Sequence, residues 1–374
     1  MNQKIDLIVF SHLRWYFVYQ RPQHLISRFA QMYRTIYIEE PVFKNGDNGY
    51  SLCYDQSGVV VITPEMNHTH SDDTHPVMER ILQQLFQDLA IRKYIVWYYT
   101  PMALPFTRHL DPMLTVYDCM DELSAFKFAP PALLELEKEL LSKATLVFTG
   151  GRSLYEHKRA QSSAPVHCFP SSIDKSHFHK ARLLQSDTHD QHHIPFPRFG
   201  FFGVIDERFD IDLIDAVAAQ KPEWQFILIG PVVKIDEATL PRRNNIHYLG
   251  PKKYEELPAY ISSWDVAILP FAVNESTRFI SPTKTPEYLA AGKPVIATPI
   301  RDVIDPYGTL GFVKIVYDAA SFIAYGEEEL ATKDIHKWQR IDAYLDTMSW
   351  DSTWNEMHHL IIQSMKQNKT LSYV

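Results

Sequence analysis

The stretch Phe279–Thr298, FISPTKTPEYLAAGKPVIAT, holds the residues with the most readable chemistry. Ser281 is a good N-cap and Pro282 a good first helical residue, so a helix is expected over Thr283–Ala291. Thr283 and Lys284 then occupy the second and third helical positions, where backbone N–H groups have no partner within the helix. Together with the helix dipole they form a seat for phosphate, and Lys284 adds a full positive charge at the same end. Glu287 follows three residues later, one turn deeper on the same face. A carboxylate there can accept hydrogen bonds from both hydroxyls of a ribose, so one helix end would hold diphosphate and pentose together. Ala290, Ala291 and Gly292 let the helix pack closely and stop. The plain alternative is an ordinary capped helix with Lys284 and Glu287 as a solvated ion pair.

A second group of titratable residues lies in Val116–Phe126, VYDCMDELSAF, just after an apolar strand. Asp118, Asp121 and Glu122 could each take a proton from a hydroxyl, as a general base at a strand end does. Capping a helix is the ordinary use of such an Asp. The loop Ser11–His24, SHLRWYFVYQRPQH, mixes aromatic and basic groups. Arg14, Gln20, Arg21 and His24 are candidates to grip a sugar or a phosphate. Trp15, Phe17 and Tyr19 suit a core, and His12 is a further candidate base. His189, His192 and His193 sit in a polar stretch without Cys or helical spacing, which reads as a solvated loop rather than a metal site. Neither Asp72-Asp73 nor Asp210-Ile211-Asp212 forms a persuasive metal-binding acid pair. Walker A, HExxH and GxSxG patterns are absent, which removes NTPase, zinc-protease and serine-hydrolase readings.

The elements that must position these groups alternate. Short apolar runs at Leu7–Phe10, Thr35–Ile38, Val59–Ile62, Ile95–Tyr98, Leu114–Tyr117, Leu146–Thr149 and Val166–Phe169 read as buried strands. Helix-like segments Pro22–Gln31, Val77–Ile91, Pro131–Lys143 and Ser153–Arg159 lie between them. The alternation restarts at Arg198–Val204 and runs through Ile211–Gln220, Gln225–Gly230, Ile246–Leu249, Glu255–Ser263, Val266–Pro270 and Val295–Ala297. Continuous apolar strands separated by helices predict parallel sheets buried on both faces. The expected organisation is an α/β acceptor domain over 1–183, a polar His- and Pro-containing linker over 184–197, and a second α/β domain over 198–333. Helices over 334–374 would pack back on the first domain. Ligands of open α/β sheets bind at the carboxyl ends of the strands, so the cleft between two such domains is the expected site.

The 374 residues suit two domains, and 45% apolar with 22% charged residues is normal for a globular protein. A formal charge of −8 argues against nucleic acid as a partner. Three scattered cysteines without a CxxC pair, and no long apolar run, predict a cytoplasmic location. Peripheral contact with the inner face of the membrane needs only a surface patch.

"SPTKTPEYLAAGKPVIAT" resembles the donor-site signature of GT-B glycosyltransferases, in the broad group containing family 4 and bacterial surface-polysaccharide enzymes. The resemblance implies two facing Rossmann-like domains, Glu287 on the ribose and Lys284 on the phosphates. "NIHYLGPKKYEELPAYISSWDVAILPF" is similar to the segment that places the nucleobase, which implies backbone near Gly250, Pro251 and Lys252 against the base. "RFGFFGVID" resembles the glycine turn opening the second domain and puts Gly203 near the diphosphate. "FSHLRWYFVYQRPQHLISRFA" resembles the first strand, loop and helix of the acceptor domain. Two features depart from the family. Phe279 stands where many retaining members carry an acid eight residues before the ribose glutamate. The usual Arg and Lys after the glycine turn are unmatched, with Arg208 as a substitute. VYDCMDELSAF is similar to the corresponding turn of the xanthan-type glucuronosyltransferases, inverting enzymes whose catalytic aspartate falls on Asp121 here, with Asp118 as rival or supporting partner. The resemblance implies a hexosyltransferase-like enzyme that needs neither cofactor nor metal. Its substrates would be a nucleotide-sugar donor, UDP-linked in the first instance, and a saccharide or lipid-linked acceptor in cell-surface polysaccharide or glycoconjugate synthesis. A nucleotide-sugar 2-epimerase on the same fold and a non-catalytic scaffold are the competing readings.

Overall fold

The computed structural model describes residues 5–68, 74–184, 187–332 and 334–371. Asp72-Asp73 and two residues of the expected linker, Gln185 and Ser186, lie outside them. The chain forms two compact units.

The first unit comprises Met1–Ser124, Ala129–Pro170 and Asp351–Val374. Its strands are β1 (Asp6–Phe10), β2 (Arg34–Ile38), β3 (Val42–Lys44), β4 (Gly49–Tyr54), β5 (Val60–Asn67), β6 (Tyr94–Tyr98), β7 (Leu114–Cys119), β8 (Leu146–Thr149) and β9 (Val166–Cys168). They pair in the order β3-β5-β2-β1-β6-β7-β8-β9, with β4 added to β5. Only the β4–β5 pairing is antiparallel among those recorded. Every residue of β1 and of β6 is buried, as a parallel sheet covered on both faces requires. The strand order reverses direction at β1, which places the loops after β1 and β6 at the switch point of the sheet.

Helix Arg21–Phe29 is held to this sheet by its first residue. Arg21 is 3% exposed and Asp118, on β7, is 0% exposed. Arg21 Nε and Nη2 both donate to the Asp118 carboxylate, and Nη1 donates 2.7 Å to Phe169 O. Against the expectation of Arg21 as an acceptor-gripping group and Asp118 as a rival base, each is spent on neutralising the other in the interior, which agrees with Asp118 as a supporting partner. The last residue of the same helix is Phe29, against which Trp354 and His358 pack from the last helix, Trp350–Leu371. Tyr33 Oη and His358 Nε2 are 3.0 Å apart.

The second unit comprises Ala125–Phe128 and Ser171–Trp350. Its strands are β10 (Arg198–Phe202), β11 (Gln225–Ile229), β12 (Ile246–Gly250), β13 (Val266–Leu269), β14 (Val295–Ala297) and β15 (Val313–Ile315). All six are parallel, in the order β12-β11-β10-β13-β14-β15. This order reverses between β10 and β13, so ligands are expected beyond the end of β10. The stretch read as a linker is instead part of this unit's core. Gln191 is fully buried and bonded to Tyr260 O, Ser263 Oγ and Trp264 Nε1. Buried Arg198 takes the carbonyls of Gln191 and Ile194 and the carboxylate of Asp187. A buried guanidinium needs several acceptors, and this polar stretch supplies them. The chain therefore changes unit at Pro170–Ser171 and Trp350–Asp351, not near residues 184 and 334. The tail splits accordingly: helix Ile335–Leu345 buries Ile341 and Leu345 in the second unit, and the last helix joins the first.

Arg21→Met would leave the Asp118 carboxylate buried without its partner. Urea denaturation should show a loss of about 3–5 kcal/mol, with most of it recovered in Arg21→Met/Asp118→Leu. An equally unstable double variant would show that the pairing is not what the single variant loses.

Candidate functional site

The second unit builds its site where three neighbouring strands end in glycine. Gly203 follows β10 with φ +144°, Gly230 follows β11 with φ +145°, and Gly250 closes β12 with φ +68°. Gly203 N donates to Ile229 O at 2.8 Å and Gly230 N to Gly250 O at 3.0 Å, so the three turns are stitched together. A Cβ on Gly230 would stand 1.8 Å from Gly203 O. A Cβ on Gly203 would stand 2.2 Å from Lys284 Cε and 2.7 Å from its Nζ. The side chain of Lys284 thus lies directly over the glycine turn, with its ammonium 5.8 Å from the Phe201 ring centre and 6.0 Å from that of Phe202.

The helix bearing this lysine runs Lys284–Ala290, and Thr283 is its N-cap without a side-chain cap bond. Ser281 is therefore not the cap, and Pro282 not the first helical residue. The reason is Pro286. A helix begun at Pro282 would need an N–H from Pro286 to the carbonyl of Pro282 and would meet a ring clash there. Starting at Lys284 puts Pro286 third, in the first turn, where no donor is needed. Ser281 serves through its backbone, whose carbonyl accepts from Ser171 Oγ at 2.6 Å. Tyr288, fully buried, accepts from Phe202 N at 2.9 Å and locks the helix to the end of β10.

Glu287 is 4% exposed, and its Oε2 is buried without a hydrogen-bond partner in the protein. Thr285 Oγ1, two residues earlier, is buried in the same condition. Burial pushes the Glu287 carboxyl up to about 7, and the charge of Lys284 partly offsets this. A buried acid with an unsatisfied oxygen is costly unless something polar meets it.

The remaining donor-side candidates are more occupied. Arg208, in the loop after β10, gives Nε and Nη2 to Asp206 and lies 5.1 Å from the Phe126 ring centre. Gly250 O is taken by Gly230, Pro251 is exposed, and Lys252 Nζ is 2.6 Å from Asp190. In the first unit, Arg14 bonds Glu39, Glu40 O and Pro41 O. Gln20 leads into helix Arg21–Phe29 with its N–H on Gln23 Oε1 at 3.0 Å. His24 is buried with its ring 4.7 Å from that of Tyr19. These side chains fix the loop after β1, so the plain reading of a packed loop describes Arg14, Arg21 and His24 better than acceptor contact does. His12 follows β1 and Asp121 follows β7, both half-buried at the same sheet edge. With β6 between them, the two strands are roughly 10 Å apart.

Sequence reasoning missed two supports. Gly230 carries the same strand-end signal as Gly203 and was readable from it. Lys158 is buried between Glu122 at 2.7 Å and Glu137 at 2.6 Å, and Glu137 accepts from Tyr117 Oη at 2.7 Å. This network ties the Asp121 loop to helices Leu133–Lys143 and Arg152–Lys158. Its signal was Glu137 itself, which falls on the apolar face formed by Leu133, Leu136, Leu140 and Leu141. Among the described residues, no group of three His, Cys, Asp or Glu side chains is placed to hold a metal ion.

Two α/β units with parallel sheets and closing C-terminal helices define a GT-B glycosyltransferase fold, and residues 197–327 match the family model for "Glycosyl transferases group 1". Over 102 residues the chain is 35% identical to TuaH of Bacillus subtilis, which is named as a teichuronic acid biosynthesis glycosyltransferase. That match spans 26% of this chain and 26% of TuaH, about a quarter of the relative's length. Sucrose-phosphate synthase from Thermosynechococcus elongatus superposes with a TM-score of 0.71 at 16% identity, over 96% of this chain and 99% of that one. An E. coli structure described as "Trehalose-6-phosphate from E. coli bound with UDP-2-fluoro glucose" gives 0.68 at 11% identity, over 97% and 99%.

Glu287 makes a stability prediction. Its carboxyl titrates about 7 when folded against the ordinary 4.5, so folding takes up a proton between those values. Burial of this acid costs nothing below the lower value, and the cost grows to its full size above the upper one. Glu287→Gln should therefore exceed the parent in stability at about pH 8, by on the order of 3 kcal/mol, and match it near pH 4. Denaturation curves at the two pH values test this. A constant difference would show that the carboxyl is not protonated on folding.

Proposed function

We propose that the chain is a glycosyltransferase that takes a sugar from a nucleotide-sugar donor, UDP-linked in the first instance, and adds it to a saccharide or lipid-linked acceptor. The carrying observation is the Lys284 ammonium over Gly203 on the same short helix as the unsatisfied Glu287 Oε2. The match of residues 197–327 to the group 1 glycosyl transferases supports it. So does the UDP-2-fluoro glucose bound by a protein of the same fold. The name of TuaH supports a place in cell-surface polysaccharide synthesis.

In this reading the diphosphate lies on the first turn of helix Lys284–Ala290 and on Lys284, and the ribose hydroxyls donate to Glu287. Charge grows on the diphosphate as the anomeric bond breaks, and a fixed ammonium and N–H dipoles meet it without a metal or cofactor. Asp121 removes the proton from the acceptor hydroxyl, which attacks the anomeric carbon directly, so configuration inverts. Glu122, clamped by Lys158, holds the Asp121 loop.

Lys284→Ala and Glu287→Ala should each weaken UDP binding by roughly 10–100-fold, the size of one charge-assisted hydrogen-bonding group. Asp121→Asn should abolish transfer and leave UDP affinity within about twofold. Calorimetry and a donor-consumption assay separate the two effects, and normal turnover in Asp121→Asn would remove that residue from the mechanism. Ribose needs the ionised carboxylate, so UDP affinity of the parent should fall about tenfold per pH unit below about pH 7, and that of Glu287→Gln should not. Epimer formation from donor alone, followed by NMR, would replace the transferase reading with the epimerase one.

A further inference from the structure

Helix Lys284–Ala290 has seven residues, too few to hold an orientation by its own hydrogen bonds. Its fifth residue, Tyr288, is tied to the end of β10 by the Phe202 N–H. Beside the backbone bonds from Gly292 N–H to Leu289 O and from Lys293 N–H to Tyr288 O, its C-terminal end is held by one side chain that neither the motif nor the comparisons point to. Arg182 Nε donates 2.8 Å to Ala290 O and Nη2 donates 2.9 Å to Leu289 O, the second of which also accepts from Gly292 N–H at 3.0 Å. A cation at this end also opposes the negative pole of the helix dipole. The stem of Arg182 passes so close to Gly292 that a Cβ there would stand 3.0 Å from its Cγ and Nε.

The guanidinium is itself held. Asp342 takes Nη1 at 2.9 Å and Nη2 at 2.8 Å, and the plane lies 5.5 Å from the Trp338 ring centre. Asp342 and Trp338 are one turn apart on helix Ile335–Leu345. The segment that carries Arg182 begins at Ser171, whose hydroxyl holds Ser281 O just ahead of the same helix. Residues 171–182 therefore run as a strap that grips the lead-in and the tail of one short helix.

We propose that Arg182, oriented by Asp342, is a positioning residue for the nucleotide site: it sets the axis of helix Lys284–Ala290 and so the placing of Lys284 and Glu287. This rests on the donor reading above. Loss of the clamp lets the helix tilt, which moves the ammonium off Gly203 and the carboxylate away from the ribose. Misplacement of a binding group by a fraction of an ångström is enough to cost roughly tenfold in affinity.

The test is titration calorimetry of the full chain with UDP, GDP and dTDP, at a temperature where thermal melts show each variant fully folded. For the nucleotide that binds the parent best, Arg182→Ala should raise Kd about tenfold. Arg182→Lys should recover part of this, because an ammonium can still reach a carbonyl but cannot span two carbonyls and a carboxylate. Asp342→Asn should fall between parent and Arg182→Ala. Amide hydrogen exchange should quicken over residues 284–291 in the same order. A role in general stability alone would lower the melting temperature and leave Kd of the folded protein unchanged, and that result overturns the proposal. If Arg182→Ala does not fold, unchanged Kd in both Arg182→Lys and Asp342→Asn overturns it equally. A parent chain that binds none of the three nucleotides fails in a different arm: it overturns the donor reading, and this inference with it.

Discussion

Lys284 can lie over the end of β10 only because Gly203 has no side chain. Any Cβ there would occupy the volume of the lysine's last carbon, and a Cβ on Gly230 would push into Gly203 O. The rest of the second unit is arranged to keep this contact. Three parallel strands end at one level so that their turns can hydrogen-bond to one another, and the aromatic rings of Phe201 and Phe202 lie beneath the ammonium. A phosphate approaching this edge meets backbone, a cation and no bulky side chain, which is the arrangement anion sites need.

The short helix that carries the lysine is under opposite electrostatic demands at its two ends. At its start sit a lysine and a buried acid whose ionisation is held back by burial. At its end sits a guanidinium already neutralised by Asp342. The guanidinium at the end has its carboxylate, whereas Glu287 Oε2 near the start has no hydrogen-bond partner in the protein. Unsatisfied buried polar atoms are rare in folded proteins because they are costly. Finding Glu287 Oε2 and Thr285 Oγ1 in one turn therefore separates this helix from an ordinary capped one. The solvated ion pair that would be the ordinary alternative is inconsistent with a glutamate 4% exposed.

Much of this was readable without coordinates. The strands of both sheets announce themselves as continuous apolar runs, since parallel strands are buried on both faces and cannot alternate. The lysine and the glutamate follow from their types and spacing, and the glycine turn from the family resemblance of RFGFFGVID. What was missed follows from physics that spacing does not record. β3 and β15 are short, and all of β3, β4 and β15 are partly exposed strands at or near a sheet edge, so they lack the apolar signature. The helix start was misplaced by two residues because Ser281-Pro282 looks like a cap, while the constraint set by Pro286 acts four residues away. Arg21 and Asp118 are 97 residues apart in the chain, and nothing local says that each answers the other. A charge in an aromatic loop looks the same in sequence whether it faces a ligand or a buried carboxylate.

That last ambiguity is resolved by asking where each charge is satisfied. In the first unit, Arg14, Arg21 and Lys158 all end on internal carboxylates or carbonyls, and they fix loops whose backbones carry His12 and Asp121. In the second unit, the acid that matters has an oxygen with no internal partner. The first unit thus uses its charges to hold the edge carrying His12 and Asp121 in shape, and the second leaves a buried acid with an oxygen unsatisfied. A buried carboxylate held near neutral pH is a poor structural element and a responsive binding element, because the hydroxyls that satisfy it also draw its proton off. The same unsatisfied oxygen that makes Glu287 costly in the folded chain is what the proposed ribose contact would satisfy.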